Sequence, residues 1–504
     1  MSLADMRGIF RRCRQQGTGD PNGRMNRPYR DDNDSVTGDP CHAPAITMAH
    51  RIRNREISAV ELVEHHLERL DEVNLLLNAV VTRCDDSALE KAEAADAAIS
   101  RGAMTGPLHG VPFTIKDGFD TADVRTTAAT EGWAERVPSA NATVVQRVLD
   151  AGAILIGKTN TPELTLSYDT DNLLFGRSYN PYDPSCSPGG SSGGGAAIVA
   201  AGGAAFDIGS DTGGSIRLPA HFCGIAAIKP SAGLVPRTGL VVPGGTPIDS
   251  LTQVGPMTRS VADLQLILPL IAGPDWRDCS ILPSAPIPVQ PDAIRKSRVA
   301  FYCDNGDLAA SDEIAAAVRN CAGVLADIGA EVTETRPEGI ESARALFGRV
   351  FGIDGGAWVR RLLAAVGTRN KSPALDWTDT RIDRPVASAG DFSEMLAELD
   401  RFRSRMLAFM RNFDLILAPV HAYAALPHNL LNSADLRPAF SYTQAFNLTG
   451  WPSAVVRTGT TDRGLPVGIQ IVAAPWQDPL TLEVAALLEA SLGGWRAPMQ
   501  ADEF

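Results

Sequence analysis

The segment Pro188-Gly-Gly-Ser191-Ser192-Gly-Gly-Gly195 constrains the fold of this chain more than any other stretch. Apart from two hydroxyls it carries almost no side-chain bulk. Glycine permits backbone shapes barred to other residues and lets another group come close to the main chain. A flexible linker would share this composition, but the apolar, alanine-rich run Ala196–Ala201 follows at once and anchors the loop.

A second glycine–serine turn follows, Gly209-Ser-Asp-Thr-Gly-Gly-Ser215-Ile-Arg217-Leu-Pro219. The backbone N–H groups of Thr212, Gly213, Gly214 and Ser215 can converge there. Such a nest stabilises an oxyanion, each donor contributing roughly 3–4 kcal/mol at the transition state. A serine beside it is a candidate nucleophile, and a mere tight turn would not explain the charged flanks Asp211 and Arg217. The nucleophile also needs a base. The sequence offers Lys116, delivered by Val111-Pro-Phe-Thr-Ile115, which reads as a short buried strand. A lysine in that position is usually a surface charge, but a desolvated one loses its proton easily and serves as a base.

The rest of the chain alternates helical and strand patterns. Ser58-Ala-Val-Glu61 is a capping box, and Val60, Val63, Leu67 and Leu70 follow at helical spacing. Further helices are expected over about Asp86–Ile99, 141–151, Ser311–Leu325 and Leu480–Leu492. Strands are expected at Ala153–Ile156, Phe206–Ile208, Arg298–Tyr302, Phe413–Ala418 and Gly464–Val472. Residues 176–195 read as a loop, with a helix starting at Ala196 and a turn over Ser210–Ser215. This alternation implies an α/β fold, a mixed sheet surrounded by helices. The 504 residues parse as a flexible tail over 1–40 and one large domain over 41–500. Arg7, Arg11, Arg12 and Arg14 crowd the start, but no apolar stretch follows, so a secretory signal is not expected.

Composition removes several classes. The net charge of −13 argues against a nucleic-acid surface. No run of 18 apolar residues exists, so no membrane-spanning helix is expected. Eight cysteines form no C-x-x-C pair, which suits free thiols in a reducing cytoplasm and gives neither zinc nor redox spacing. No metal and no cofactor is expected.

Taken together the motifs resemble the amidase signature family. The stretches 188–195 and 209–219 are similar to its signature, and Gly110-Val-Pro-Phe-Thr-Ile-Lys116-Asp117 to its lysine segment. Gly152-Ala-Ile-Leu-Ile-Gly-Lys-Thr-Asn160 with Pro162-Glu163, Asn447-Leu-Thr-Gly450-Trp-Pro452 and Gly464-Leu-Pro-Val-Gly-Ile-Gln470 resemble its other segments. The likeness covers about residues 45–495, and Ser191 and Ser215 stand at the family's spacing of 24 (215 − 191). It implies the amidase signature fold in a single large domain. Its catalytic part would span about 95–270 and 440–495, its variable substrate part about 275–440. It implies Ser215 as nucleophile, Ser191 as the bridging serine after a cis peptide bond, and Lys116 as a base neutral at rest. Thr212, Gly213 and Gly214 would form the oxyanion hole with Ser192, Asp211 and Arg217 in support. The expected substrates are small aryl or alkyl amides, with carbamates (urethanes) or esters related to them, in a bacterial enzyme whose candidate assembly is a homodimer.

Two strings compete with this reading. Gly152 to Thr159 fits a phosphate-loop pattern, but its middle, Ala-Ile-Leu-Ile, belongs in a core. Gly189-Gly-Ser191-Ser-Gly193 fits a nucleophile elbow with His421 or His428 as base, yet the proline-rich residues before it cannot form the required strand. His109 and His221 are expected to serve orientation or packing. A third alternative is the amidase subunit of a transamidating complex. The substrate pocket is expected from Tyr168–Leu174, Pro236–Asp249 and the 340–440 region, with Phe347, Phe351, Trp358 and Trp377 as candidate linings.

Overall fold

The computed structural model describes residues 39–498 except 104, 243, 282, 284, 285, 291, 379–386, 429 and 432. The tail expected over 1–40 lies outside these residues, save for Asp39 and Pro40 at a short 3-10 turn, Pro40–His42. From Asp39 onward the described chain forms one compact unit.

Its strands are β1 (Val80–Arg83), β2 (Pro112–Lys116), β3 (Ile154–Thr159), β4 (Phe206–Asp211), β5 (Ala226–Lys229), β6 (Gln253–Thr258), β7 (Arg298–Phe301), β8 (Glu331–Glu334), β9 (Leu415–Pro419), β10 (Ser453–Thr460) and β11 (Pro466–Ala473). All eleven join one sheet in the order β1-β3-β2-β4-β6-β5-β10-β11-β9-β7-β8. The sheet is mixed: β2 runs parallel to β3 and β4, and β7 parallel to β8 and β9, while β4, β6, β5, β10, β11 and β9 pair antiparallel in turn. Every residue of β2, β3 and β4 is buried, as expected where helices cover both faces of a parallel set.

The order around β2 positions the site. The chain leaves β2 through the helix Thr143–Asp150 and returns as β3 on one side. It leaves β3 through the helix Gly193–Ala200 and returns as β4 on the other. The crevice outside the carboxyl ends of strands at such a reversal is where α/β sheets bind ligands. Lys116 ends β2 and Asp211 ends β4, so both reach the same crevice.

The expected elements are present with shifted ends. The Ser58–Glu61 capping box opens the helix Ala59–Leu77. Two boundaries are corrected. Ser210 and Asp211 extend β4 instead of entering the turn. The helix after Ser192 begins at Gly193, so the three glycines belong to its first turn and not to a loop. A Cβ on Gly194 would stand 2.6 Å from Asn160 N and 2.7 Å from the Ala79 carbonyl oxygen, both rigid backbone. Glycine is thus required for this helix start to sit directly on the strands. Gly194→Ala should lower stability by about 1–3 kcal/mol, the range for overpacking a filled interior, read as a fall in the urea unfolding midpoint at unchanged m-value.

Candidate active site

The carboxyl end of β2 places the Lys116 amine in a fully buried pocket among three hydroxyls. Nζ lies 2.6 Å from Ser191 Oγ, 3.0 Å from Ser192 Oγ and 3.1 Å from Ser210 Oγ. Ser192 donates its own proton to the Ser210 carbonyl at 3.4 Å, so toward the lysine it accepts. A neutral amine has two N–H donors and one lone pair. Donation to Ser192 and Ser210 leaves the lone pair facing Ser191. Burial pulls the Lys116 pKa down to about 7, against the opposing field of the Asp207 and Asp211 carboxylates.

Ser191 follows a cis peptide bond from Gly190. Gly190 is crowded by the backbone of Tyr168 and Asp169, which lies closer to its absent Cβ than any side chain would tolerate. The backbone N–H of Ser192 donates to the Ser215 carbonyl at 3.1 Å and so ties the two serine segments together.

The turn carrying Ser215 is organised by one carboxylate. Asp211 Oδ1 accepts the Gly214 N–H at 2.8 Å, and Oδ2 accepts the Ile216 N–H at 3.2 Å. Arg217 grips both oxygens at 3.0 Å through Nε and Nη2. Arg217 reaches on to Gln470 Oε1 at 3.1 Å and Asn447 Oδ1 at 2.5 Å, while Asn447 Nδ2 donates back to Asp211 Oδ1 at 2.8 Å. Burial alone would raise the Asp211 pKa, but the guanidinium and these donors hold it far below the usual carboxylate range. The expectation for Gly214 is therefore corrected, because its N–H is occupied by Asp211. Among the described residues, the N–H groups of Thr212, Gly213 and Ser215 have no acceptor in the chain.

Ser215 opens on a cavity of about 860 Å³. Tyr168 and the Thr212–Gly213 turn form its floor beside the serine. The helix Ala343–Phe351 forms one wall through Arg344, Phe347, Gly348 and Phe351, which are spaced i, i+3, i+4, i+7 and share one face. Residues 431–444 contribute Arg437, Phe440 and Gln444. Phe347 and Phe351 thus line the cavity as expected from the sequence, whereas Trp358 is packed inside and does not. The side chain of Trp377 lies outside the described residues. The described residues of Pro236–Asp249 do not line the cavity either. Arg237 ties that segment elsewhere, to Asp249 at 2.5 Å and to Asp278 at 3.0 Å.

The histidines and the second lysine take no part in this arrangement. His421 Nδ1 lies 2.9 Å from the Tyr423 carbonyl, and His428 Nε2 3.3 Å from that of Pro184. His221 accepts the Gly468 N–H at 2.8 Å, and His109 packs against the Ala95 carbonyl. Lys158, of the phosphate-loop string, is buried on Phe119, Thr121 and Thr126. Sequence reasoning missed Ser210, which sits inside the second glycine–serine motif but reads as an ordinary residue there. Asn447 and Gln470 stand in recognisable segments, yet nothing in the sequence gave them roles. Among the described residues no helix is long and apolar enough to cross a membrane.

A family model described as Amidase matches residues 61–482. The chain is 36% identical over 468 residues to a glutamyl-tRNA(Gln) amidotransferase subunit of Synechococcus sp. (strain CC9605), covering 86% of this chain and 93% of that one. It is 32% identical to an acylamidase of Rhodococcus erythropolis, covering 88% and 94%. Among solved structures, 6-aminohexanoate cyclic dimer hydrolase complexed with substrate superposes with a TM-score of 0.80 at 28% identity, over 91% of this chain and 99% of that one.

Asp211→Asn leaves the Arg217 guanidinium buried without its counter-charge. It should cost about 3–5 kcal/mol of stability, the usual range for breaking a buried ion pair, and loosen the Ser215 turn. Chemical denaturation and crystallography of the variant check both effects.

Proposed function

The chain belongs to the amidase family, an amide-hydrolysing family of the amidase signature type, and from that premise we propose that it hydrolyses small aryl or alkyl amides through Ser215. The observation that carries this reading is the buried Lys116 amine 2.6 Å from Ser191 Oγ, in a site whose cavity ends at Ser215. In this reading neutral Lys116 takes the Ser191 proton as Ser191 takes that of Ser215. The Ser215 oxygen then bonds to the substrate carbonyl carbon. The N–H groups of Thr212, Gly213 and Ser215 receive the resulting oxyanion, and Gly214 instead holds the turn to Asp211. The proton returns through Ser191 to the leaving nitrogen as the C–N bond breaks, and water repeats the sequence to free the acid. The aryl or alkyl preference draws its support from Phe347 and Phe351, and carbamates and esters fit the same acyl-enzyme. The one large domain over 41–500 and a homodimer in the cytoplasm belong to the same proposal.

A second reading, the amidase subunit of a transamidating assembly, is favoured by the 36% identity to the Synechococcus protein. The two separate on one property. An independent amidase turns over acyl anilides as an isolated chain, whereas a subunit co-purifies with partners and depends on them.

Labelling with a fluorophosphonate followed by peptide mass spectrometry should give one adduct, on Ser215, and Lys116→Ala should slow it and amide turnover by at least roughly 1,000-fold. An adduct on Ser191 would defeat the assignment. The base must be neutral, and lysine loses its charge as pH rises. The Lys116 pKa of about 7 therefore predicts that kcat/KM climbs through pH 7 to an alkaline plateau, falling about tenfold per unit below the midpoint. A flat profile between pH 5 and 9 would contradict it.

A further inference from the structure

Among the described residues, the charges lining the cavity are Arg344, Arg437 and Asp376. Two of these already have partners. Arg344 grips the Asp307 carboxylate with Nε at 2.5 Å and Nη2 at 3.0 Å. Asp376 faces Lys371 at 3.5 Å. Arg437 has no hydrogen bond and no carboxylate partner among the described residues, and its side chain is exposed at the cavity. Among the described residues the lining thus carries one uncompensated guanidinium, in a chain whose net charge is −13.

The local fold fixes where that charge stands. Arg437 and Phe440 lie three residues apart in the 3-10 helix Ala434–Phe440, in which positions i and i+3 eclipse. Both therefore face the cavity, one turn or about 6 Å apart along the axis. Phe440 stacks on Tyr168 at 4.3 Å, and the Tyr168 hydroxyl donates to the Gly213 carbonyl at 3.2 Å, in the turn that carries Ser215. An aromatic pair thus links the turn that carries Ser215 to the helix that carries Arg437. On the wall formed by the helix Ala343–Phe351, Gly348 has no neighbour within 4 Å of where a Cβ would be, which leaves open space beside that wall.

We propose that this cavity selects substrates carrying an anionic group, a carboxylate or its like, separated from the scissile carbonyl by a spacer about the size of an aromatic ring, with Arg437 as the residue that binds the anion. Arg344 has its Nη1 donors left over from Asp307 and supplements the site. A planar guanidinium pairs with a carboxylate in two parallel hydrogen bonds, which gives orientation as well as attraction. This inference rests on the reading of Ser215 as the nucleophile.

The test uses sulfonyl fluorides, so that no substrate need be known. Ser215 oxygen attacks the sulfur, an S–O bond forms, and fluoride leaves while the serine proton passes toward Ser191 and Lys116. 4-(Fluorosulfonyl)benzoate carries an anion one ring away from the reacting sulfur, and 4-(fluorosulfonyl)benzamide is its neutral counterpart. Second-order labelling rates of Ser215 in the full chain, by mass spectrometry, give an anion-over-neutral ratio. The ratio should exceed one in the native protein, fall at least tenfold in Arg437→Gln, drop further in Arg437→Glu, and be partly kept in Arg437→Lys. Added salt should compress it. If both probes label Ser215 and the ratio is the same in native protein and Arg437→Gln, or favours the neutral probe throughout, this inference is overturned and the nucleophile assignment stands. If neither probe labels Ser215, the assignment itself falls, and the inference with it.

Discussion

A buried ion pair holds this molecule's chemistry together. Asp211 and Arg217 lie only six residues apart and both are fully buried. Taking two charges out of water costs several kcal/mol apiece, repaid only when the remaining hydrogen-bonding positions are also filled. Here they are filled from far along the chain, by Asn447 and Gln470. The pair therefore does two things at once. It shapes the Ser215 turn by drawing in the N–H groups of Gly214 and Ile216. It also fastens that turn to the helix Ser441–Thr449 and to β11, which form only after more than two hundred further residues.

Lys116 shows the opposite solution to the same problem. Among the described residues no carboxylate lies within bonding distance, so its three hydroxyl neighbours cannot offset a full charge in a dry site. The amine gives up its proton near neutrality instead. One buried cation is retained through a partner and another is discharged by the lack of one, although Lys116 and the arginine's partner Asp211 end strands that lie side by side in the sheet.

What the sequence made legible was local chemistry. The Ser58–Glu61 box fixed a helix start through side-chain hydrogen bonds three residues apart. The glycine segment before Ala196 announced close backbone packing, because the apolar run Ala196–Ala201 that follows it at once speaks against a flexible linker. Less legible was whatever depended on distant partners. β6 contains Gly255 and Pro256, residues that argue against a central strand, yet it sits between β4 and β5. Ser210 looked like part of a turn because its lysine partner lies 94 residues away. The engagement of Gly214 by Asp211 is a matter of turn geometry that composition does not carry. Phe347 and Phe351 were found by residue type alone. The same reasoning also picked Trp358, which packs inside, and the 236–249 segment, which Arg237 holds elsewhere.

The helix Ala343–Phe351 supplies none of the hydrogen bonds that hold Lys116, the serines or the Ser215 turn, yet one of its faces lines the cavity. The serine–lysine cluster and the cavity wall are thus carried by different parts of the chain. The first is locked into β2, the two glycine segments and their buried pair, where a Cβ on Gly189, Gly190 or Gly194 would meet backbone. The second draws on four positions of this helix, at a spacing of three, one and three, together with Arg437, Phe440 and Gln444 from residues 431–444. Divergence of such a scaffold toward new amides would leave its trace as a helical rhythm in aligned sequences, with rapid change at positions 344, 347, 348 and 351 against a background that scarcely moves.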